Sequence, residues 1–222
     1  MRVVLTREAG RNERLREWLA GANVEEVPLT TTVAVDEAAI EAQIDAAPRG
    51  VRYLVVTSAR AAAWAARAAR EIDAPVLSVG AETSRALRDF GLVVTAQGES
   101  ARDLAGLISA GPVVSLGAAQ TRPELAEALG ARGIVLYHVA CYETRALELT
   151  DHDRETLARA DVILIGAPSA WAVARDFVAP RAWVIVPGAT TAEVVAESHP
   201  RILEGWGPEL ATRVAGLDVE GG

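Results

Sequence analysis

The 222-residue sequence contains no lysine, so all 22 of its basic residues are arginine. Schiff-base chemistry, a pyridoxal anchor and the lysine of a Walker phosphate loop are therefore excluded. The single cysteine, Cys141, excludes an internal disulfide, and the three scattered histidines give no zinc-binding spacing. We therefore expect no metal site.

Basic runs and long apolar runs are also lacking. The formal net charge of -8 argues against nonspecific binding to nucleic acid, which needs a basic surface. Met1 and Arg2 lead directly into a short apolar strand and a charged helix, and no later apolar run approaches the roughly 20 residues of a membrane span. We expect a cytoplasmic monomer that contacts neither nucleic acid nor membrane.

Short runs of Val, Ile and Leu alternate with alanine- and arginine-rich segments of helical period. This alternation predicts an α/β protein in which parallel strands are covered by helices on both faces. Strands are predicted near residues 2–6, 24–29, 52–57, 76–80, 92–95, 112–116, 134–141, 161–166, 182–187 and 201–203.

An internal repeat organises these elements. Four segments recur in the same order at shifts of about 106 to 110 residues, each at a strand-to-helix junction. The repeat indicates two copies of one α/β unit. The matched pairs are 3–19 with 113–129, 53–65 with 162–174, 79–87 with 187–195, and ARDLAGL with GPELATR.

Small polar residues follow several predicted strands. Ligands of open parallel sheets bind beyond the carboxyl ends of the strands, where helix N-termini present N–H groups. Each such residue alone would be read as a helix cap, but matching turns in two repeats favour contact with a shared ligand across a cleft. The candidates are Thr57, Ser58, Gly80, Thr83, Ser169, Gly188 and Thr191.

The ligand is predicted to carry carboxylates. Neither GxxxxGK[ST] nor GxGxxG after a strand is present, which disfavours a phosphate loop. Arg7, Arg60 and Arg122 lie where they can reach the same rim and bind carboxylates in a bidentate manner.

Several segments together carry a family resemblance. The ordered set is VVLTR, Pro28, LVVTSARA, SVGAETSRALRDFG, ESARDLAGL, the Gly117–Arg122–Leu125 run, HVACYET, APSAW and PGATTAEVV. In this order the set resembles the uroporphyrinogen-III synthase family over nearly the whole chain. TSARA, VGAET and CYET are its strongest local pieces.

The resemblance implies two flavodoxin-like domains joined by a two-stranded linker, with the cleft between them. One domain would comprise residues 1–33 and 146–222, and the other residues 34–145, with linker crossings near 29–35 and 142–146. The repeat alone would divide the chain near residue 110. We follow the family partition because β-rich crossings at TTTVA and YETR supply a double linker.

The implied reaction is the dehydration and cyclisation of hydroxymethylbilane, a linear tetrapyrrole octacarboxylate, to uroporphyrinogen III with inversion of the last ring. The family implies a lyase without a cofactor and transient contact with the upstream bilane-forming enzyme. Tyr142 matches the family's proposed general acid, and Thr83, Thr191 and Ser58 match its substrate contacts. Cys141 and His138 are interpreted as structural.

One segment departs from the family pattern. Gly166 and Ala167 stand where the second Thr-Ser turn is expected, although Ser169 follows closely. The departure leaves open a non-catalytic module that binds a tetrapyrrole or another polycarboxylate as a sensor. An unrelated periplasmic-binding-like receptor is a weaker alternative.

Overall fold

The computed structural model describes residues 1–121 and 123–218. The chain forms two compact units. Unit 1 comprises Met1–Thr32 and Arg145–Gly222, and unit 2 comprises Val33–Thr144. The candidate residue Arg122 lies outside the described residues.

The strands are β1 (Arg2–Leu5), β2 (Asn23–Glu26), β3 (Thr30–Ala34), β4 (Tyr53–Val56), β5 (Val76–Val79), β6 (Val94–Gly98), β7 (Val113–Ala118), β8 (Leu136–Ala146), β9 (Val162–Leu164), β10 (Trp183–Val186) and β11 (Ile202–Glu204). The helices are α1 (Glu13–Trp18), α2 (Glu37–Asp45), α3 (Ala62–Ala68), α4 (Ala81–Asp89), α5 (Ala101–Leu107), α6 (Glu124–Gly130), α7 (Asp151–Arg159), α8 (Pro168–Ala174), α9 (Ala189–Ala196) and α10 (Leu210–Ala215). A 3-10 turn, Ala59–Ala61, precedes α3.

The strands form two sheets. One sheet has the order β11-β10-β9-β1-β2, and its neighbouring strands all run parallel. The other has the order β3-β8-β7-β4-β5-β6, with parallel pairing from β8 to β6. The predicted α/β class with parallel sheets is therefore confirmed.

Both faces of the unit 1 sheet are buried. Val4 and Ile163 belong to one apolar cluster, whereas Leu5 and Leu164 belong to another. Successive strand residues point to opposite faces, so two buried faces require continuously apolar strands. VVL and VIL supply such runs.

The unit 2 sheet is built in the same way. Leu54 and Val56 pack into one cluster, and Val55, between them, packs into another. Each of these three side chains is fully buried, which contributes about 1.5 to 3 kcal/mol apiece. The apolar strands therefore hold the polar turns at their ends in fixed positions.

Helix starts fall where the sequence provides caps. Ser100 and Thr150 each accept a hydrogen bond from the backbone N–H three residues later, and Asp103 and Asp153 accept one in return. These reciprocal bonds are capping boxes, which satisfy N–H groups that a helix start leaves open. The starts of α4 and α9 differ, because Gly80 and Gly188 precede them and neither has a side-chain cap.

Candidate functional site

The carboxyl ends of the unit 2 strands bring six predicted residues to one edge of that sheet. Parallel pairing of β5, β4, β7 and β8 places all of their carboxyl ends on the same side. The residues at this edge are Thr57, Ser58, Arg60, Gly80, Thr83 and Tyr142.

Tyr142 and Arg60 are in direct contact at this edge. The guanidinium carbon of Arg60 lies 5.7 Å from the centre of the Tyr142 ring. Tyr142 pairs with Ala118 beyond a register shift in β7 and β8, and its ring is half-buried against a core cluster. Cation–π contact and packing together fix the orientation of the phenol ring.

Thr57 and Ser58 already bond to the protein backbone. The Thr57 hydroxyl donates to the Leu116 carbonyl over 3.4 Å, and a side chain at Gly117 would collide with it. The Ser58 hydroxyl oxygen accepts from the Arg60 N–H over 3.3 Å, so Ser58 caps the 3-10 turn. Both residues are half-buried, and the Ser58 hydroxyl proton remains a potential donor.

Gly80 and Thr83 form the next turn along the edge. Gly80 has φ +76° and ψ 154°, a conformation that is essentially restricted to glycine. Thr83 is the third residue of α4 and is buried, and the cap position before the helix is Gly80.

Unit 1 brings four predicted residues to the carboxyl edge of its own sheet. Arg7 follows β1 and is exposed, and Ser169 lies exposed in the first turn of α8. Gly188 and Thr191 begin α9, and Thr191 is buried. Thr191 is the third residue of α9, the position that Thr83 has in α4.

The start of β3 is bound to the turn after β1. The Glu8 carboxylate accepts from the Thr32 backbone N–H over 2.7 Å and from the Thr31 and Thr32 hydroxyls over 3.2 and 3.1 Å. Sequence reasoning missed this carboxylate, because its partners lie more than twenty residues away along the chain.

Sequence reasoning also missed Trp206, which follows β11 at the carboxyl edge of unit 1. The guanidinium carbon of Arg7 lies 5.9 Å from the centre of its indole ring. A tryptophan three residues after the predicted strand 201–203 was visible in the sequence, but no local pattern shows its contacts.

Cys141 and His138 have the structural roles that the sequence predicted. Burial raises the pKa of the Cys141 thiol to about 12, so the thiol stays protonated at neutral pH. His138 lies 2.8 Å from both the Ser115 hydroxyl and the Ala118 carbonyl. Because a carbonyl only accepts, His138 Nε2 carries the proton.

Unit 2 also has a cavity of about 500 Å³ at the opposite edge of its sheet. Its lining includes Asp45, Glu71 and Asp73, with Arg49 as one basic residue. These carboxylates repel a polyanion, so this cavity is a poor site for a polycarboxylate.

Among residues 1–121 and 123–218, no group of three or more His, Cys, Asp and Glu side chains is arranged to hold a metal ion. No helix in the same part of the chain is long and apolar enough to cross a membrane.

Solved structures show a shared fold. A crystal structure of mutant uroporphyrinogen III synthase from the extremely thermophilic bacterium Thermus thermophilus is 18% identical, with 97% of each chain covered and a TM-score of 0.69. Uroporphyrinogen-III synthetase from Helicobacter pylori 26695 is 17% identical, with 97% of this chain and 98% of that chain covered and a TM-score of 0.67. At these low sequence identities, the structural similarity supports only a shared fold.

Family membership rests on the comparison of sequences. No curated protein sequence matches the chain. The family model of uroporphyrinogen-III synthase HemD, however, matches residues 13–201, which is most of the chain. The chain therefore belongs to the uroporphyrinogen-III synthase family, enzymes of tetrapyrrole biosynthesis, as the sequence resemblance predicted.

Proposed function

We propose that this protein converts hydroxymethylbilane, a linear tetrapyrrole octacarboxylate, into uroporphyrinogen III with inversion of the last pyrrole ring. The observation that carries the proposal is the family match over residues 13–201. The polar turns and arginines at the carboxyl edges of both sheets supply the donors that an octacarboxylate requires.

The reaction loses one water and needs no redox step, so the protein acts as a cofactor-independent lyase in this proposal. The terminal C–O bond breaks, the hydroxyl leaves as water after taking a proton, and the pyrrole stabilises the cation left behind. Attack by the substituted position of the last ring gives a spiro intermediate, which reopens and closes at the unsubstituted position of that ring. The ring then loses a proton as it regains aromaticity, which balances the proton taken by the hydroxyl and gives the inverted product. The protein holds the linear tetrapyrrole in the conformation that forms the spiro intermediate. Such orientation of reacting groups can lower an activation barrier by several kcal/mol.

Tyr142 is the proton donor in this proposal. A phenol O–H is a proton donor, so it can donate to the departing hydroxyl. The contact of its ring with Arg60 supports the assignment because it holds the ring, and with it the phenol oxygen, in one orientation.

The other candidate residues bind the substrate. Arg7, Arg60 and Arg122 hold carboxylates, and Ser58 donates its hydroxyl proton while its oxygen caps the 3-10 turn. Thr83 and Thr191 contact the substrate from matched positions, each the third residue of a helix that begins after a glycine. Thr57, Gly80, Ser169 and Gly188 complete the set.

We infer that the two units arose by duplication and correspond to the family's two domains, with crossings near residues 29–35 and 142–146. The sheet orders support this inference. Read as β6-β5-β4-β7-β8 and β11-β10-β9-β1-β2, the two orders place every sequence-matched segment at the same position in its sheet.

The test of the function is an isomer analysis. Hydroxymethylbilane is generated in situ, the products are oxidised, and isomers I and III are separated. The proposal predicts a large excess of isomer III over the enzyme-free control, which closes to isomer I. Equal isomer patterns with and without the protein would instead support the sensor alternative, which the missing hydroxyls at Gly166 and Ala167 leave open.

The Tyr142→Phe variant tests the proton donor. We expect the rate of isomer III formation to fall by about 10²-fold or more, the usual contribution of a general acid, with little change in substrate binding. Tyr137→Phe is the matched control, because Tyr137 lies half-buried on the same strand and packs against the same core cluster. Equal rates in the two variants would remove Tyr142 from the chemistry.

A further inference from the structure

The position of Trp206 is set by three hydrogen bonds. The indole Nε1 donates to the Ile185 carbonyl over 3.3 Å, and the Gly205 N–H donates to the Val186 carbonyl over 2.8 Å. Arg213 donates to the Gly205 carbonyl over 2.9 Å. Gly205 has φ +99°, and a Cβ there would lie 3.0 Å from the Arg213 guanidinium. These contacts fix the conformation of the loop and hold the indole beside the carboxyl end of β10.

The indole and Arg7 occupy the space beside Gly166. A Cβ on Gly166 would lie 3.3 Å from Cη2 of Trp206 and 3.5 Å from Cγ of Arg7. A threonine or serine side chain at this position would extend further and press on both neighbours. The Trp206 indole therefore occupies the space that a hydroxyl-bearing side chain at Gly166 would need.

Arg7 rests on the ring that takes this space. Its guanidinium carbon is 5.9 Å from the centre of the Trp206 ring, within the range of a cation–π contact. Stacking uses the face of a guanidinium, whereas carboxylates bind along its edge. A stacked arginine can therefore bind a carboxylate with its orientation already fixed.

We propose that Trp206 is a positioning residue that orients Arg7 toward a substrate carboxylate, in place of the hydroxyls absent at Gly166 and Ala167. This inference rests on the proposed synthase function, because the carboxylate belongs to the tetrapyrrole. In unit 1, the substrate carboxylate then binds to the Arg7 guanidinium, which is stacked on the Trp206 ring.

The Trp206→Leu variant tests the inference through KM and kcat for hydroxymethylbilane. We expect KM to rise by about fivefold with kcat changed less than about twofold, because the platform acts on binding. Trp206→Phe keeps an aromatic face and is expected to restore KM to within about twofold of wild type. A purely structural role would lower the active fraction, and hence apparent kcat, without moving KM.

Trp183→Leu is the matched control. Trp183 begins β10 at the opposite edge of the same sheet, where Arg201 stacks on its ring at 5.7 Å and its indole donates to the Asp218 carbonyl over 3.3 Å. Its loss removes a comparable cation–π contact away from the site. We expect the KM of this variant to stay within about twofold of wild type.

A double-mutant cycle links Trp206 to Arg7. If Trp206 acts through Arg7, Trp206→Leu raises KM in the wild-type background but has little effect in an Arg7→Ala background. Should Trp206→Leu fail to fold, Gly166→Ala tests the same contact, because its Cβ must displace the indole by a few tenths of an ångström. This variant is expected to raise KM by about three- to fivefold, beyond the range expected of the control variant.

The outcomes separate the two claims. Wild-type protein that forms no excess of isomer III overturns the proposed function and this inference with it. Active wild-type protein overturns the inference alone if Trp206→Leu or Gly166→Ala leaves KM unchanged, or if the Arg7 and Trp206 effects are additive.

Discussion

The turns that begin α4 in unit 2 and α9 in unit 1 share a glycine and a threonine but differ in what lies beneath them. Under the α4 turn, Ser78, Ser84 and Gln97 form a chain of hydrogen bonds, each 2.6 Å long. Under the α9 turn, Val186 matches Ser78 and Ala192 matches Ser84, and both pack in an apolar cluster.

The two glycines differ in the same way. Gly80 has φ +76° and ψ 154°, whereas Gly188 is fully extended, with φ 179° and ψ -179°. Only the first conformation requires glycine. The two turns therefore share a glycine and a threonine in sequence but differ in backbone conformation and in the residues that support them.

The largest expected effect comes from exchanging these glycines for alanine. Gly80→Ala is expected to lower the free energy of unfolding by about 1 to 3 kcal/mol, because it forces a side chain into a glycine-only conformation. Among the described residues, no atom outside the two chain neighbours lies within 4 Å of the added Cβ at either glycine, so the difference is conformational. Gly188→Ala should change the stability by no more than about 0.5 kcal/mol.

Denaturant titration of both variants measures this difference. Equal losses of stability would show that the backbone conformation of the glycine does not distinguish the two turns.

Ser84→Ala is expected to cost about 1 to 2 kcal/mol. It removes the acceptor of the Ser78 hydroxyl, which is fully buried. The Ser78→Ala/Ser84→Ala double variant should lose less than the sum of the two single variants, because it leaves no buried hydroxyl without a partner. Additive losses in thermal or denaturant unfolding would show that the pair is not coupled.

The smallest effect concerns the capping box of α7, which has a counterpart at α5 in unit 2. The hydroxyl of Thr150 holds the pKa of Asp153 below its usual value. A depressed carboxyl pKa stabilises the fold above the unfolded pKa of about 4, and this contribution is lost as pH falls through the folded pKa.

Thr150→Ala should therefore cost about 0.5 to 1 kcal/mol at pH 7, and its stability gap to wild type should narrow below about pH 4. The free energy of unfolding of both proteins is measured from about pH 7 to about pH 2.5, the range in which the carboxyl titrates. A difference between them that does not change with pH would contradict the prediction.

The sequence predicted the α/β class because apolar strands buried on both faces leave a local pattern. The strand assignment from apolar runs omitted β3, because the Thr-rich segment Thr30–Ala34 has no such run; the segment was expected only as a β-rich crossing. It also ended β8 near residue 141, whereas the strand continues to Ala146 through a register shift beside Gly117 and Ala118.

Prediction of the candidate site had a similar limit. The turn residues could be found because they follow apolar strands, and the repeat identified them twice. Trp206 and the Ser78–Ser84 pair could not be assigned, because their roles depend on contacts between elements: the Trp206 indole with Ile185, and one serine with the other. Local patterns carry no information on such contacts.

The central claim is that the matched threonines of both units act on one tetrapyrrole. The most direct measurement is the ratio of isomer III to isomer I formed from hydroxymethylbilane by wild type, Thr83→Val, Thr191→Val and the double variant. The account predicts a large excess of isomer III for wild type, a lower ratio for each single variant, and a ratio near the enzyme-free value for the double variant. A folded double variant that keeps the wild-type ratio would contradict it.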